Sequence, residues 1–159
     1  MLNKESGISE SQETAIGQGK TMISPLHNLM IASTVANGGK MMTPYVVDYI
    51  EDAYGRIVKQ YKPSVIEQLM SAEEAEYLTK CMEEVIDSGT GSSMRWSSYN
   101  AAGKTGSAQY DSSDNIHSWF VGFAPAENPQ IAISVVLEGG YSGSSAQYTA
   151  KAVFDAFFE

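Results

Sequence analysis

Basic side chains are scarce in this sequence: ten Lys and Arg stand against nineteen Asp and Glu, a formal net charge of −9. A phosphate backbone is held by a basic stripe, and none is visible, which argues against a nucleic-acid partner. The acidic surplus reads as a source of solubility. Cysteine occurs once, as Cys81, which excludes an intrachain disulfide and leaves the redox compartment open. Cys81 falls on the apolar side of an expected helix, so a buried, inert thiol is expected there. Histidine occurs twice, and no Asp/Glu/His/Cys cluster has ligand spacing, so neither a metal nor another cofactor is expected. Runs of eighteen apolar residues and a signal-peptide pattern are absent. The polypeptide as given reads as soluble, which leaves room for an anchor elsewhere in a parent protein.

Against these absences stands a sizeable apolar fraction: 43% of 159 residues are hydrophobic. That suits one domain, or a large piece of one, burying roughly two-thirds of its unfolded surface. Residues 1–14 are polar and read as an extended or mobile lead-in. A glycine-rich turn follows at Ala15-Ile16-Gly17-Gln18-Gly19. Ser24-Pro25 opens a helix, because Ser can cap it and Pro suits its first position. Asn37-Gly38-Gly39 stops that helix with residues that tolerate positive φ. Residues 45–51 and 56–61 read as two strands joined by a hairpin loop at Asp52-Ala53-Tyr54-Gly55. Ser71-x-x-Glu74 is a capping box, followed by an apolar stripe of Ala75, Leu78, Cys81, Met82, Val85 and Ile86. Residues 101–110, 117–124 and 131–138 read as three strands with connections short enough for antiparallel neighbours. The third is apolar or small on both faces and is expected to be covered on both. Ala146, Ala150, Val153, Phe154 and Phe157 form the stripe of a closing helix. The fold class is α+β, an antiparallel sheet flanked by helices.

Chemistry concentrates at Gly103-Lys104-Thr105-Gly106-Ser107-Ala108-Gln109. As a phosphate loop this segment fails twice. The glycine required five residues before Gly103 is Ser98, and the residues that follow read as strand rather than helix. As a strand it makes one wall of an acyl-transfer site. Lys104 supplies fixed positive charge, and the hydroxyls of Thr105 and Ser107 can donate to a carboxylate. Gly106 lets a ligand approach the backbone. An edge strand also offers free N–H groups, and that of Ser107 can face a developing oxyanion.

The neighbouring segments give this strand a context. His117-Ser118-Trp119-Phe120-Val121-Gly122-Phe123-Ala124-Pro125 follows it. Ile16-Gly17-Gln18-Gly19, Ser24-Pro25-Leu26, Ala36-Asn37-Gly38-Gly39, Pro44 and Val85-Ile86-Asp87-Ser88-Gly89-Thr90-Gly91 precede it. In order and spacing, residues 5 to 158 resemble the C-terminal part of a penicillin-binding protein transpeptidase domain. The whole chain, 1–159, then reads as the C-terminal portion of such a domain. That family uses three boxes in order: Ser-x-x-Lys, Ser-x-Asn and Lys-Thr-Gly. Only the third is here, because no lysine has a serine three residues before it. Ser98-Tyr99-Asn100 and Ser113-Asp114-Asn115 match the second box in letters but lie too close to, or beyond, Lys104, and both read as decoys. His117 reads as structural or as part of the site rim. Trp119 and Phe123 share a strand face and read as core.

The resemblance implies a parent that is a serine D,D-transpeptidase, cross-linking peptidoglycan stem peptides through an acyl-enzyme and acylated by β-lactams. It implies anchorage of that parent in the bacterial cytoplasmic membrane, with this domain outside. Lys104, Thr105 and Ser107 would orient the carboxylate of substrate or drug. The Ser107 N–H would supply half an oxyanion hole, and Gln109 would border the groove. The partner implied first is the missing N-terminal half of the domain. Without it, strand 131–138 is expected to expose an apolar edge that invites a dimer. A non-catalytic binding module, or a β-lactam sensor of the same fold, is the alternative reading.

Overall fold

The computed structural model describes residues 7–19, 21–111, 115–140 and 145–159. Its helices and strands come in blocks along the chain. Helix α1 (Ile8–Ala15) and helix α2 (Pro25–Ala36) precede four short strands: β1 (Lys40–Met42), β2 (Tyr49–Glu51), β3 (Ile57–Gln60) and β4 (Val65–Gln68). Helix α3 (Ala72–Asp87) leads through a 3-10 turn at Ser92–Met94 into β5 (Ala102–Gln109), β6 (Ile116–Ala124), β7 (Ile131–Gly140) and helix α4 (Ser145–Phe158).

The helix ends follow the local signals. The Ser24 hydroxyl accepts the His27 N–H at 3.1 Å, with Pro25 in the first turn of α2. At α3 both halves of the capping box form: Ser71 caps the Glu74 N–H, and the Glu74 carboxylate accepts the Ser71 N–H at 2.7 Å. The Ser71 N–H first, and then the Ser71 hydroxyl donating to Glu74 Oε2 at 2.8 Å, hold the Glu74 carboxyl below the usual carboxylate range. Gly38 and Gly39 take positive φ after α2, as the stop signal required.

Three expectations need correction. The stretch expected to be extended or mobile is helical from Ile8 to Ala15, where Glu, Gln and Ala favour a helix despite the polar surroundings. Cys81 is exposed, not buried. The buried line of α3 runs through Ala75 and Ile86, with Thr79 and Met82 half-buried between them. At 3.6 residues per turn Cys81 lies well round the helix from that line. The pairing of β1 with β4 was also missed: Lys40 lies opposite Gln68 and Met41 opposite Glu67, across an intervening hairpin. That hairpin, β2 with β3, occupies a shorter span than the two expected strands.

The expected three-stranded antiparallel sheet is present, in the order β5-β6-β7. Among the described residues only β6 has a neighbour on each side. Beneath one face lie Phe120 and Ala124 of β6 with Ala146, Ala150 and Phe154 of α4, joined by Met94 and Tyr99. The small Ala146 and Ala150 let α4 sit close to the sheet. The other face holds Ala102, Phe123, Val35 and Ala126, with Met82 of α3 and Ala132 of β7 packed against them. Both faces of β7 therefore meet protein, yet Ile131 to Leu137 stay half-buried, because among the described residues one edge has no strand beside it.

One cross-strand pair is unusually tight. Gly103 lies opposite Gly122, and the Phe120 ring lies over both. A Cβ on Gly103 would come within 2.4 Å of that ring, and one on Gly122 within 2.5 Å of the Ala102 carbonyl oxygen. No side chain fits either place, so the two strands meet here through bare backbone.

Candidate functional site

The Lys-Thr-Gly segment occupies an edge strand, and the phase of its hydrogen-bond ladder decides what it presents. The ladder runs on past the strand end, where the Tyr110 N–H donates to the Asn115 carbonyl at 3.1 Å. In an antiparallel pair, residues alternate between bonding the neighbour strand and facing away from it. Counting back from Tyr110 aims the backbone groups of Ala108, Gly106 and Lys104 at β6. Those of Gln109, Ser107, Thr105 and Gly103 point to the open side. An external contact agrees with this phase: the Ser107 carbonyl accepts a hydrogen bond from Gln18 Nε2 at 2.9 Å. The Ser107 N–H shares that direction.

Side chains sort the other way, by sheet face. Thr105 and Ser107 pair with Phe120 and Ser118 on the α4 face, while Lys104 and Gly106 pair with Val121 and Trp119 on the opposite face. Lys104 is exposed, and its Nζ curls to the open edge, donating to the Thr105 carbonyl at 2.8 Å. A positive charge, two hydroxyls and an outward N–H thus lie along four residues of one strand. A Cβ on Gly106 would lie 3.3 Å from the Trp119 Cβ, a tight contact across the strand pair. Gln109 is exposed at the end of the strand.

Sequence reasoning missed two residues at this edge. Thr90, in the loop after α3, lies with its hydroxyl 2.5 Å from that of Thr105. Either oxygen can be the donor, so the pair holds the Thr105 hydroxyl in one of two orientations. In the sequence Thr90 stands out only within the segment Val85-Ile86-Asp87-Ser88-Gly89-Thr90-Gly91, fifteen positions from its partner. Gln18 stands out in the sequence only as part of a glycine-rich turn and of one segment carrying the resemblance, neither of which points to Ser107.

The remaining candidates fall away from the edge. Ser98 and Asn100 lie in the irregular stretch before β5, where Tyr99 is buried and donates its hydroxyl to Asp155 at 2.8 Å. Burial pushes the Tyr99 phenol up to about 12. Ser113 and Asp114 lie outside the described residues. His117 stacks on Tyr110, with centroids 4.2 Å apart, and its Nδ1 accepts the Gly139 N–H at 3.2 Å. It ties the strand ends together at the rim. Phe123 is fully buried and Trp119 half-buried. The fully buried Ser118 hydroxyl accepts the Ala146 N–H at 3.0 Å, which satisfies an orphan donor at the start of α4.

The comparisons with known proteins agree with this architecture. The family model of the penicillin binding protein transpeptidase domain matches residues 1–159. The peptidoglycan D,D-transpeptidase MrdA of Acinetobacter baumannii is 36% identical over 160 residues, covering 92% of this chain and 24% of that protein. Stage V sporulation protein D of Bacillus subtilis is 32% identical over 139 residues, covering 83% of this chain and 21% of that one. The chain therefore spans about a quarter of the length of these relatives. Among solved structures, the imipenem acyl-enzyme complex of penicillin-binding protein A from M. tuberculosis superposes with a TM-score of 0.82 at 30% identity. That match covers 92% of this chain and 33% of the other. The match along all 159 residues, on an α+β fold shared with these relatives, means that the chain belongs to the penicillin-binding protein transpeptidase domain family.

Proposed function

We propose that this chain supplies the carboxylate-binding and oxyanion-side wall of a serine D,D-transpeptidase that cross-links peptidoglycan and is acylated by β-lactams. The observation that carries the reading is the open edge of β5, where the Ser107 N–H faces outward between the hydroxyls of Thr105 and Ser107 and the Lys104 ammonium. A carboxylate beside that edge would meet one full charge and two hydroxyl donors, with the Thr90–Thr105 pair orienting one of them. The Ser107 N–H would stabilise the oxyanion of a tetrahedral intermediate, as one of two donors. Gly106 and Gln109 would line the groove. The second donor, the nucleophilic serine and its lysine would come from a preceding half of the domain, since the chain has no Ser-x-x-Lys box. The coding sequence upstream of Met1 tests this first. In-frame Ser-x-x-Lys and Ser-x-Asn boxes are expected there, and their absence would overturn the reading.

The 159 residues alone are expected to form no penicilloyl adduct, because no serine here is activated by a lysine at that spacing. Joined to the upstream half, the same residues are expected to gain the mass of one penicillin. Intact-mass spectrometry reads both results, and a stable adduct on the short chain contradicts the proposal. The short chain is also expected to self-associate through the free edge of β7, whose outward backbone N–H and C=O groups face no strand among the described residues and would pair with the missing half. Light scattering that finds a monomer up to high concentration would count against that edge.

A further inference from the structure

One hydrogen-bonding position on the open edge of β5 is already taken, by the side chain of Gln18. Gln18 reaches Ser107 across 89 residues of sequence. It stands between Gly17 and Gly19, with φ of 76° and 80°, a backbone that other residues adopt only under strain. The Gln18 N–H closes onto the Glu13 carbonyl of α1 at 2.8 Å. A Cβ on Gly19 would lie 2.9 Å from Glu13 Oε2. The two glycines thus reverse the chain directly after α1 and leave the Gln18 side chain half-buried against β5.

The atom it presents there is an amide N–H. A strand-like ligand added to this edge would donate a backbone N–H to the same outward carbonyl. The side-chain amide of glutamine carries a donor of the same kind. We propose that Gln18 is a resident place-holder on the ligand-pairing edge, occupying the Ser107 carbonyl until the amide N–H of an acylating ligand displaces it. The ligand class it discriminates is acyl compounds with a secondary amide beside the acyl carbon. This rests on the reading of β5 given under Proposed function. A ligand with that N–H exchanges one hydrogen bond for another, whereas a compound too small to reach Ser107 leaves Gln18 in place.

The test uses the chain joined to its upstream half and two probes: penicillin G, which carries the amide, and penicillanic acid, which does not. The quantity read is the ratio of their second-order acylation rates. Gln18→Ala is expected to raise the ratio of penicillin G to penicillanic acid about fivefold, the worth of one ordinary hydrogen bond. Gln18→Met, which keeps the length and loses the donor, is expected to do the same, and hydrogen exchange across β5 checks that each variant keeps the strand. An unchanged or lowered ratio, with the wild type acylated normally, overturns the place-holder alone. A wild type that neither probe acylates overturns the functional reading, and the place-holder with it.

Discussion

Replacing Phe120 with alanine is expected to cost about 3–5 kcal/mol of stability, the range for deleting a fully buried aromatic side chain. Phe120 has no exposed surface and sits on the one strand of the sheet with two neighbours. The size of the loss turns on whether the surroundings can collapse into the space. On one side the ring rests on Gly103 and Gly122, which have no side chains to swing inward. On the other stand Ala146 and Ala150 of α4, which are too short to reach. The space could then close only by repacking of the larger cluster members, Met94 and Phe154, or by backbone movement, which would shift the strand that carries Lys104 and Thr105. Urea unfolding measures the effect, with Trp96→Ala as the comparison. Trp96 is 87% exposed, so its loss is expected to stay within about 0.5 kcal/mol. A Phe120→Ala cost below about 1.5 kcal/mol would mean that the glycine floor is more pliable than its contacts indicate.

The second large effect is kinetic. Ser107→Pro is expected to lower acylation of the joined domain by about 10²–10³, the loss seen when one oxyanion donor is removed. Proline is informative here because of the ladder phase. The Ser107 N–H points away from β6, so a proline at 107 removes it without breaking a sheet hydrogen bond, as edge strands tolerate. Ala108→Pro removes an N–H aimed at β6 and is expected to lower stability as well. Stopped-flow acylation and urea unfolding on both variants separate the two outcomes. If Ser107→Pro acylates at the wild-type rate while folded, the Ser107 N–H faces no oxyanion. Ser107→Ala, which keeps the N–H and removes the hydroxyl, is expected to change the rate far less.

The sequence revealed those features whose causes are local. Ser71 and Glu74 are three residues apart and satisfy each other's backbone donors, so the start of α3 was legible without any knowledge of the fold. Ser24-Pro25 marked α2 for the same reason. The alternation in 131–138 placed β7 and both of its covered faces. What stayed hidden depends on contacts distant in sequence. The joining of β1 to β4, the Thr90–Thr105 hydroxyl pair, the Gln18 contact and the Ser118 cap of α4 each link separated segments. None leaves a periodic trace. Cys81 failed for a geometric reason: it lies in the same helix as the buried line but at the wrong angle around it. The candidate site was legible as a motif, whereas its orientation was not. Which backbone groups of β5 face outward is a matter of phase, and phase is set by the partner strand.

The glycine pair beneath Phe120 has a consequence for that phase. Side chains and backbone groups both repeat every two residues along a strand, so sliding β5 by one position against β6 would exchange every role at once. Lys104 and Gly106 would turn their amides outward, and the hydroxyls of Thr105 and Ser107 would cross to the other face. Such a slip would also carry Gly103 out from opposite Gly122 and drive Ala102 or Lys104 into a space that admits no side chain. The two glycines act on the strand as a notch acts on a key, admitting one alignment and blocking its neighbours.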